Sequence, residues 1–101
     1  MAAEFPLTIV TPDGEIFQED VVSLQAPGIN GYFGVLAHHA PMIAEITRGV
    51  VTVRKEDDKV STFAVLGGII EVVENKVVVL ADRATAAESA EDAKAKAVSG
   101  L

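Results

Sequence analysis

The sequence predicts a mainly β fold, a flattened β-sandwich or barrel of about eight to ten short strands followed by a short C-terminal α-helix. Three observations carry this. Apolar residues alternate with a period of two, beginning with Phe5, Leu7 and Ile9 on one face. Turn-forming clusters such as Thr11-Pro12-Asp13-Gly14 and Glu56-Asp57-Asp58-Lys59 interrupt that alternation at close spacing. The pattern changes at Ala84, after which residues pair at helical-neighbour spacing.

In order along the chain, Phe5 to Val10 is the first strand, with Pro6, Thr8 and Val10 on its second face. Pro12 presets φ in the turn that follows and Gly14 closes it. Glu15 to Phe17 begins a second strand, and Glu19-Asp20 marks an expected bulge before Val21 to Ala26 resumes the extended chain. Residues 28–41 are expected to form a glycine-spaced loop. Met42 to Ile46 is a short strand closed by Thr47-Arg48-Gly49, and Val50 to Lys55 with Val60 to Leu66 is a hairpin. Gly67-Gly68 bends the chain, and Ile69 to Val73 pairs with Val77 to Ala81. Val77-Val78-Val79-Leu80 is apolar on both faces and belongs in the middle of a sheet. Ser89, with Asp92 three residues on, caps a helix that Gly100 stops. That helix offers only alanines and Val98 as apolar surface, so weak docking and fraying are expected.

Bulk composition narrows the function. A chain of 101 residues holds one domain and one core, here aliphatic and without Trp. Zero cysteines exclude disulfides and thiolate metal sites. A formal charge of −7 disfavours nucleic acid, whose phosphates call for clustered Lys and Arg. The N-terminal residues lack a signal-peptide pattern, and no apolar run approaches the roughly 20 residues that cross a bilayer. Membrane contact is therefore expected to be indirect.

Three groups of residues invite a chemical reading. Gly28, Gly31 and Gly34 recur every third residue, but phosphate loops lead from a strand into a helix, and here Val35-Leu36 and two histidines follow. The glycines are read as serving tight turns or positive-φ positions. His38 and His39 are adjacent, so on an extended chain their rings point to opposite sides and do not share one metal. Glu56-Asp57-Asp58 reads as a solvated hairpin tip, and Asp82-Arg83 as at most a local ion pair of little energetic weight. No serine lies in a nucleophile context. No catalytic residue, metal ligand or cofactor is assigned. From the residues alone the chain is a β-sandwich interaction module, with a freestanding ligand-binding sandwich and a small metal-dependent enzyme around the two histidines as the alternatives.

The order of several blocks adds to this. Leu7-x-Ile9-Val10-Thr11-Pro12, Gly28-x-x-Gly31-x-x-Gly34, His39-Ala40-Pro41, Gly49, Gly67-Gly68-Ile69-x-Glu71-Val72 and Val77-x-Val79-Leu80-Ala81-Asp82-Arg83-Ala84 follow one another at strand spacing. Over residues 5 to 92 the chain resembles the epsilon subunits of F-type ATP synthases. The resemblance implies an N-terminal β-sandwich over residues 1–84 and a short helical tail over 85–101, the remnant of a two-helix C-terminal domain. It implies a non-catalytic central-stalk rotor subunit that binds the gamma subunit and the polar loops of the membrane c-ring, coupling proton transport to ATP synthesis. Such a subunit is peripheral, on the cytoplasmic face of a bacterial inner membrane or an equivalent energy-transducing membrane. Mapped here, the c-ring contact comprises Gly28, Asn30, Gly31 and Tyr32 together with His39, Ala40, Pro41 and Met42.

Three departures qualify the expectation. Tyr32 stands where such subunits often carry an acid, and Ala37-His38 where they carry Pro-Gly; Tyr32 would bind by packing and through its hydroxyl. The ATP-binding motif in the first C-terminal helix of some members is not matched, because Glu91 precedes Asp92 and Ala95 occupies the arginine position. No specific ATP site is expected. The chain stops at Leu101, before a second helix, so inhibition through an extended helix pair is expected to be absent or weak.

Overall fold

The computed structural model describes residues 2–101. Eight strands and one helix follow one another: β1 Phe5–Thr11, β2 Gly14–Val21, β3 Ser23–Gly28, β4 Gly31–Leu36, β5 Met42–Arg54, β6 Val60–Val73, β7 Lys76–Ala81, β8 Ala84–Ala87 and α1 Ala90–Ser99. The strands pair in the order β2-β1-β7-β6-β5-β3-β4, with β8 added to β6.

The long central pair makes this one sheet into a sandwich. β6 pairs with β8 through Thr62–Val65 and with β7 through Gly68–Val73, along one edge. β5 faces β6 along its whole length. One layer is therefore β2-β1-β7-β6-β5 and the other β8-β6-β5-β3-β4, with β5 and β6 running through both. The turn from one layer to the other falls at Gly67 and Gly68, whose φ values are +105° and +142°. A Cβ at Gly68 would lie 2.8 Å from the Ala81 Cα and against the Leu80 carbonyl oxygen.

Facing the seam, alternate residues of each strand form a single core. Phe5, Leu7 and Ile9 of β1, Val77 and Val79 of β7, and Ile70 and Val72 of β6 meet Leu24, Val35, Val51, Val53, Phe63 and Val65 of the second layer. The Phe17 and Phe63 rings cross between layers edge-to-face, 5.5 Å apart at 74°.

Four expectations need correction. β2 runs unbroken through Glu19 and Asp20; the irregularity lies at Ile16, where the β1 register shifts between Ile9 and Val10. Met42 to Ile46 does not end at Thr47-Arg48-Gly49, and Gly67-Gly68 does not separate two strands: β5 and β6 are continuous over 13 and 14 residues. Glycine permits a bend without loss of pairing, so its presence marked the change of layer rather than a strand end. Residues 28–41 are not one loop but a hairpin turn, the strand β4 and a second turn.

The fourth correction concerns α1. Its ends are closed as the sequence indicates. The Ser89 hydroxyl accepts from the Asp92 N–H at 3.1 Å, and the Asp92 carboxylate accepts from the Glu88 N–H at 3.0 Å. At the other end Gly100 takes φ +86°, and the N–H groups of Gly100 and Leu101 donate to Ala97 and Lys96, a Schellman arrangement. The alanines expected to dock poorly are the docking surface. Ala93 and Ala97 are buried against Val50 and Ala64 on the outer face of the second layer, where their small side chains let the helix approach closely. The Arg48 guanidinium donates to the Val98 carbonyl at 3.3 Å, and Lys96 donates to Ala86 at 3.2 Å.

One pH dependence follows from this cap. The Glu88 N–H, and then Lys96, hold the Asp92 carboxyl below its ordinary 3.8. A lowered carboxylate pKa stabilises the folded state above the unfolded value, and that contribution disappears as pH falls through the folded one. Far-UV circular dichroism should show helix loss over that acid interval, and Asp92→Asn should lose the dependence. Identical acid profiles for the two proteins would contradict it.

Candidate protein-docking site

The β3–β4 hairpin shows why its three glycines are not one motif. Gly28 is required by proximity: a Cβ there would lie 2.9 Å from both the Gly31 carbonyl oxygen and Phe33 Cδ1. Gly31 is required by conformation, with φ +122° and open space around it. Gly34 has negative φ, and an added Cβ would meet the Leu24 carbonyl at an ordinary 3.8 Å. Gly31 leads into β4, not into a helix, so the arrangement lacks the helix N-terminus that a phosphate cradle uses.

Tyr32 joins this hairpin to the sheet. The β3–β5 register jumps from Gln25 opposite Thr52 to Gly28 opposite Ile46, which leaves Val50 with no partner on the β3 side. The Tyr32 hydroxyl accepts from the Val50 N–H at 3.0 Å. Gly49 makes room for it, since a Cβ there would lie 2.7 Å from the hydroxyl and 2.8 Å from Pro27 Cβ. The hydroxyl expected to face a partner is thus engaged within the fold, while the residue as a whole stays 52% exposed. Tyr32→Phe should cost about 1–2 kcal/mol by leaving the Val50 N–H unpaired. Urea unfolding measures it, and an unchanged midpoint would mean that the bond contributes nothing.

The other predicted segment lies elsewhere. His38 takes φ +64°, and its N–H donates to the Asn75 side chain at 2.6 Å; the same amide donates to the Glu4 carbonyl at 3.3 Å. Asn75 therefore ties the 37–41 turn to the start of β1. His39 is turned onto its own backbone, with Nδ1 2.7 Å from the Ala40 carbonyl oxygen. Met42 is half-buried and packs on the core. Gly28, Asn30, Gly31 and Tyr32 line a shallow concavity of about 400 Å³ with Ala44 and Glu45, and none of His39, Ala40, Pro41 or Met42 borders it. The five steps of β4 carry the chain roughly 17 Å from Gly31 to Leu36 before it turns back. From Met42, β5 leads back to Ala44 and Glu45 on the rim of that concavity. Among the described residues no group of three or more His, Cys, Asp or Glu converges as a metal site would require.

A surface not singled out from the sequence lies on the outer face of the first layer. Ile43, Ile69 and Leu80 are 71%, 45% and 50% exposed, with Ile69 directly opposite Leu80 on neighbouring strands. Val10, opposite Leu80, and Val78 continue the apolar area. The signal was present in Val77-Val78-Val79-Leu80. Its two apolar faces do mark a central strand, but only one of them is covered by the rest of the fold. Helix α1 covers part of the other layer. Exposed aliphatic residues contiguous across several strands mark a protein contact.

Fold and surfaces together define a class: a folded-over β-sandwich with a terminal helix, an exposed hairpin tip and an uncovered apolar face. A family model described as ATP synthase, Delta/Epsilon chain, beta-sandwich domain matches residues 4–87. The chain belongs to that family. It is 45% identical over 91 residues to an ATP synthase epsilon chain of Pelotomaculum thermopropionicum, covering 90% of this chain and 67% of that one. It is 42% identical over 86 residues to the corresponding chain of Moorella thermoacetica, covering 85% and 64%. The chain thus spans about two thirds of the length of these curated relatives. Among solved structures it is similar to a chain of the Euglena gracilis mitochondrial ATP synthase, at TM-score 0.81 and 26% identity over 99% of this chain and 64% of that one. A chain in the Tetrahymena thermophila central stalk and c-ring structure shares the fold at TM-score 0.71 and 14% identity, covering 83% and 67%.

Proposed function

We propose that this chain is a non-catalytic central-stalk subunit of an F-type ATP synthase, joining the gamma subunit to the c-ring and helping couple proton transport to ATP synthesis. The observation that carries the reading is the match of residues 4–87 to the delta/epsilon β-sandwich family, together with the likeness over 99% of the chain to a chain of an assembled ATP synthase. Two kinds of contact suit the two partners. The uncovered face exposes Ile43, Ile69 and Leu80, with Glu71 opposite Ile43 and Glu45 opposite Ile69, a mix of apolar and acidic groups that suits a contact with gamma. The exposed tip with Gly28, Asn30, Gly31 and Tyr32, and the turn with His39, Ala40 and Pro41 leading to Met42, are suited to the polar loops of a c-ring. In this reading residues 1–84 form the docking body and 85–101 a short helical tail. No helix among the described residues is long and apolar enough to cross a membrane. In this reading the subunit is peripheral, on the cytoplasmic face of a bacterial inner membrane or an equivalent energy-transducing membrane.

Mixing the chain with gamma from the same source tests the reading. A one-to-one complex at micromolar concentration is expected, weakened by Leu80→Lys on the apolar face. Absence of any complex would overturn the stalk assignment.

A further inference from the structure

We propose that Asn30-Gly31 is a site of spontaneous deamidation, which converts the uncharged hairpin tip of the free protein into an acidic one. The protein has two asparagines, and the structure treats them oppositely. Asn75 is held by two hydrogen bonds, to the His38 N–H and the Glu4 carbonyl, and is followed by lysine. Asn30 is exposed, makes no side-chain hydrogen bond among the described residues, and precedes a glycine with nothing within 4 Å of where a Cβ would stand. A missing side chain at the following residue is what lets a backbone nitrogen approach the asparagine amide. Ile29 beside it is 60% exposed, so no packed side chain holds the tip shut. The pairing of Gly28 with Gly31 has to open for attack, and it is the terminal rung of the ladder, where strand pairing frays most easily.

The chemistry needs water alone. The Gly31 nitrogen, on losing its proton, attacks Asn30 Cγ; a new C–N bond forms, the amide bond between Cγ and Nδ2 breaks, and ammonia leaves. The resulting five-membered imide takes up one water at either carbonyl. Opening between the Gly31 nitrogen and Cγ gives aspartate. Opening at the original backbone carbonyl gives isoaspartate, whose main chain runs through one extra methylene. Both products place a carboxylate at the tip. The second also lengthens the turn by one atom and cannot keep Gly28 opposite Gly31.

The chemistry stands on the exposed Asn-Gly step alone; its consequence for assembly rests on the proposed docking of this tip. The protein is incubated folded at neutral and alkaline pH, digested with trypsin and weighed. The fragment ending at Arg48 is expected to gain about one dalton, faster at higher pH, while the fragment Val60–Lys76 stays unchanged. Asn30→Gln should abolish the gain, because a six-membered imide closes far more slowly. Asp13-Gly14 lies in the same fragment and can isomerise through a similar imide, but without a change of mass. If the folded protein shows no gain while the protein in urea does, the hairpin blocks the reaction and the proposal fails. Equal gain at Asn75 would remove its specificity. Repeating the incubation with gamma and the c-ring present separates the two ideas: unchanged conversion there would refute docking of the tip and leave the chemistry intact.

Discussion

Replacing Gly68 with alanine is expected to lower the stability of the protein by about 3 kcal/mol or more, from backbone strain and forced overpacking together. Gly68 takes φ +142°, and its new Cβ would be driven against the Leu80 carbonyl oxygen and to 2.8 Å from the Ala81 Cα. Those atoms are backbone of β7, which cannot move away without giving up its own ladder with β6. Gly14→Ala is the matched control. It also has positive φ, +128°, but nothing within 4 Å, so only the conformational cost of about 1 kcal/mol applies. Urea denaturation of both variants isolates the contact, and equal losses would show that φ alone accounts for the glycine.

Truncating Phe63 to alanine ranks second, with an expected loss of about 3–5 kcal/mol. Phe63 is only 4% exposed and belongs to the core between the layers, and its ring meets Phe17 edge-to-face. Its removal leaves a void that both layers would have to close at once. Val60→Ala, three residues earlier and largely exposed, should stay within about 0.5 kcal/mol. Comparable effects would place the stability of β6 in its pairing rather than in the seam.

Local patterns revealed whatever depends on neighbouring residues. Phe5, Leu7 and Ile9 do point inward, the turn at residues 12 and 13 forms where Pro12 and Gly14 demand it, and both helix caps use the residues that signalled them. Features that rest on distant partners were illegible. Nothing near Thr47 or Gly67 tells that two long strands cross between layers, because that follows from how β7 and β8 share one edge of β6. The role of Tyr32 depends on a register jump against β5, so its hydroxyl looked available to a partner when it is occupied by Val50. Alanine counted as poor apolar surface on α1, yet it suits a close approach to Val50 and Ala64. The candidate contact residues were read as one loop, but β4 lies between the hairpin tip and the 37–41 turn.

The parallel pairing of β1 with β7 also sets the order in which the fold can complete itself. Leu7 lies opposite Val77 and Val10 opposite Leu80, so the first strand waits for nearly the last before its second neighbour exists. Until Ala81 has been synthesised, β1 and β2 can form a hairpin whose other edge, along β1, has no strand to pair with. Long-range closure of this kind is slow, on the order of milliseconds to seconds for β-rich domains. The nascent polypeptide therefore passes through an interval in which the β1 edge is open to pairing with other chains, and that interval ends only when β7 slots between β1 and β6.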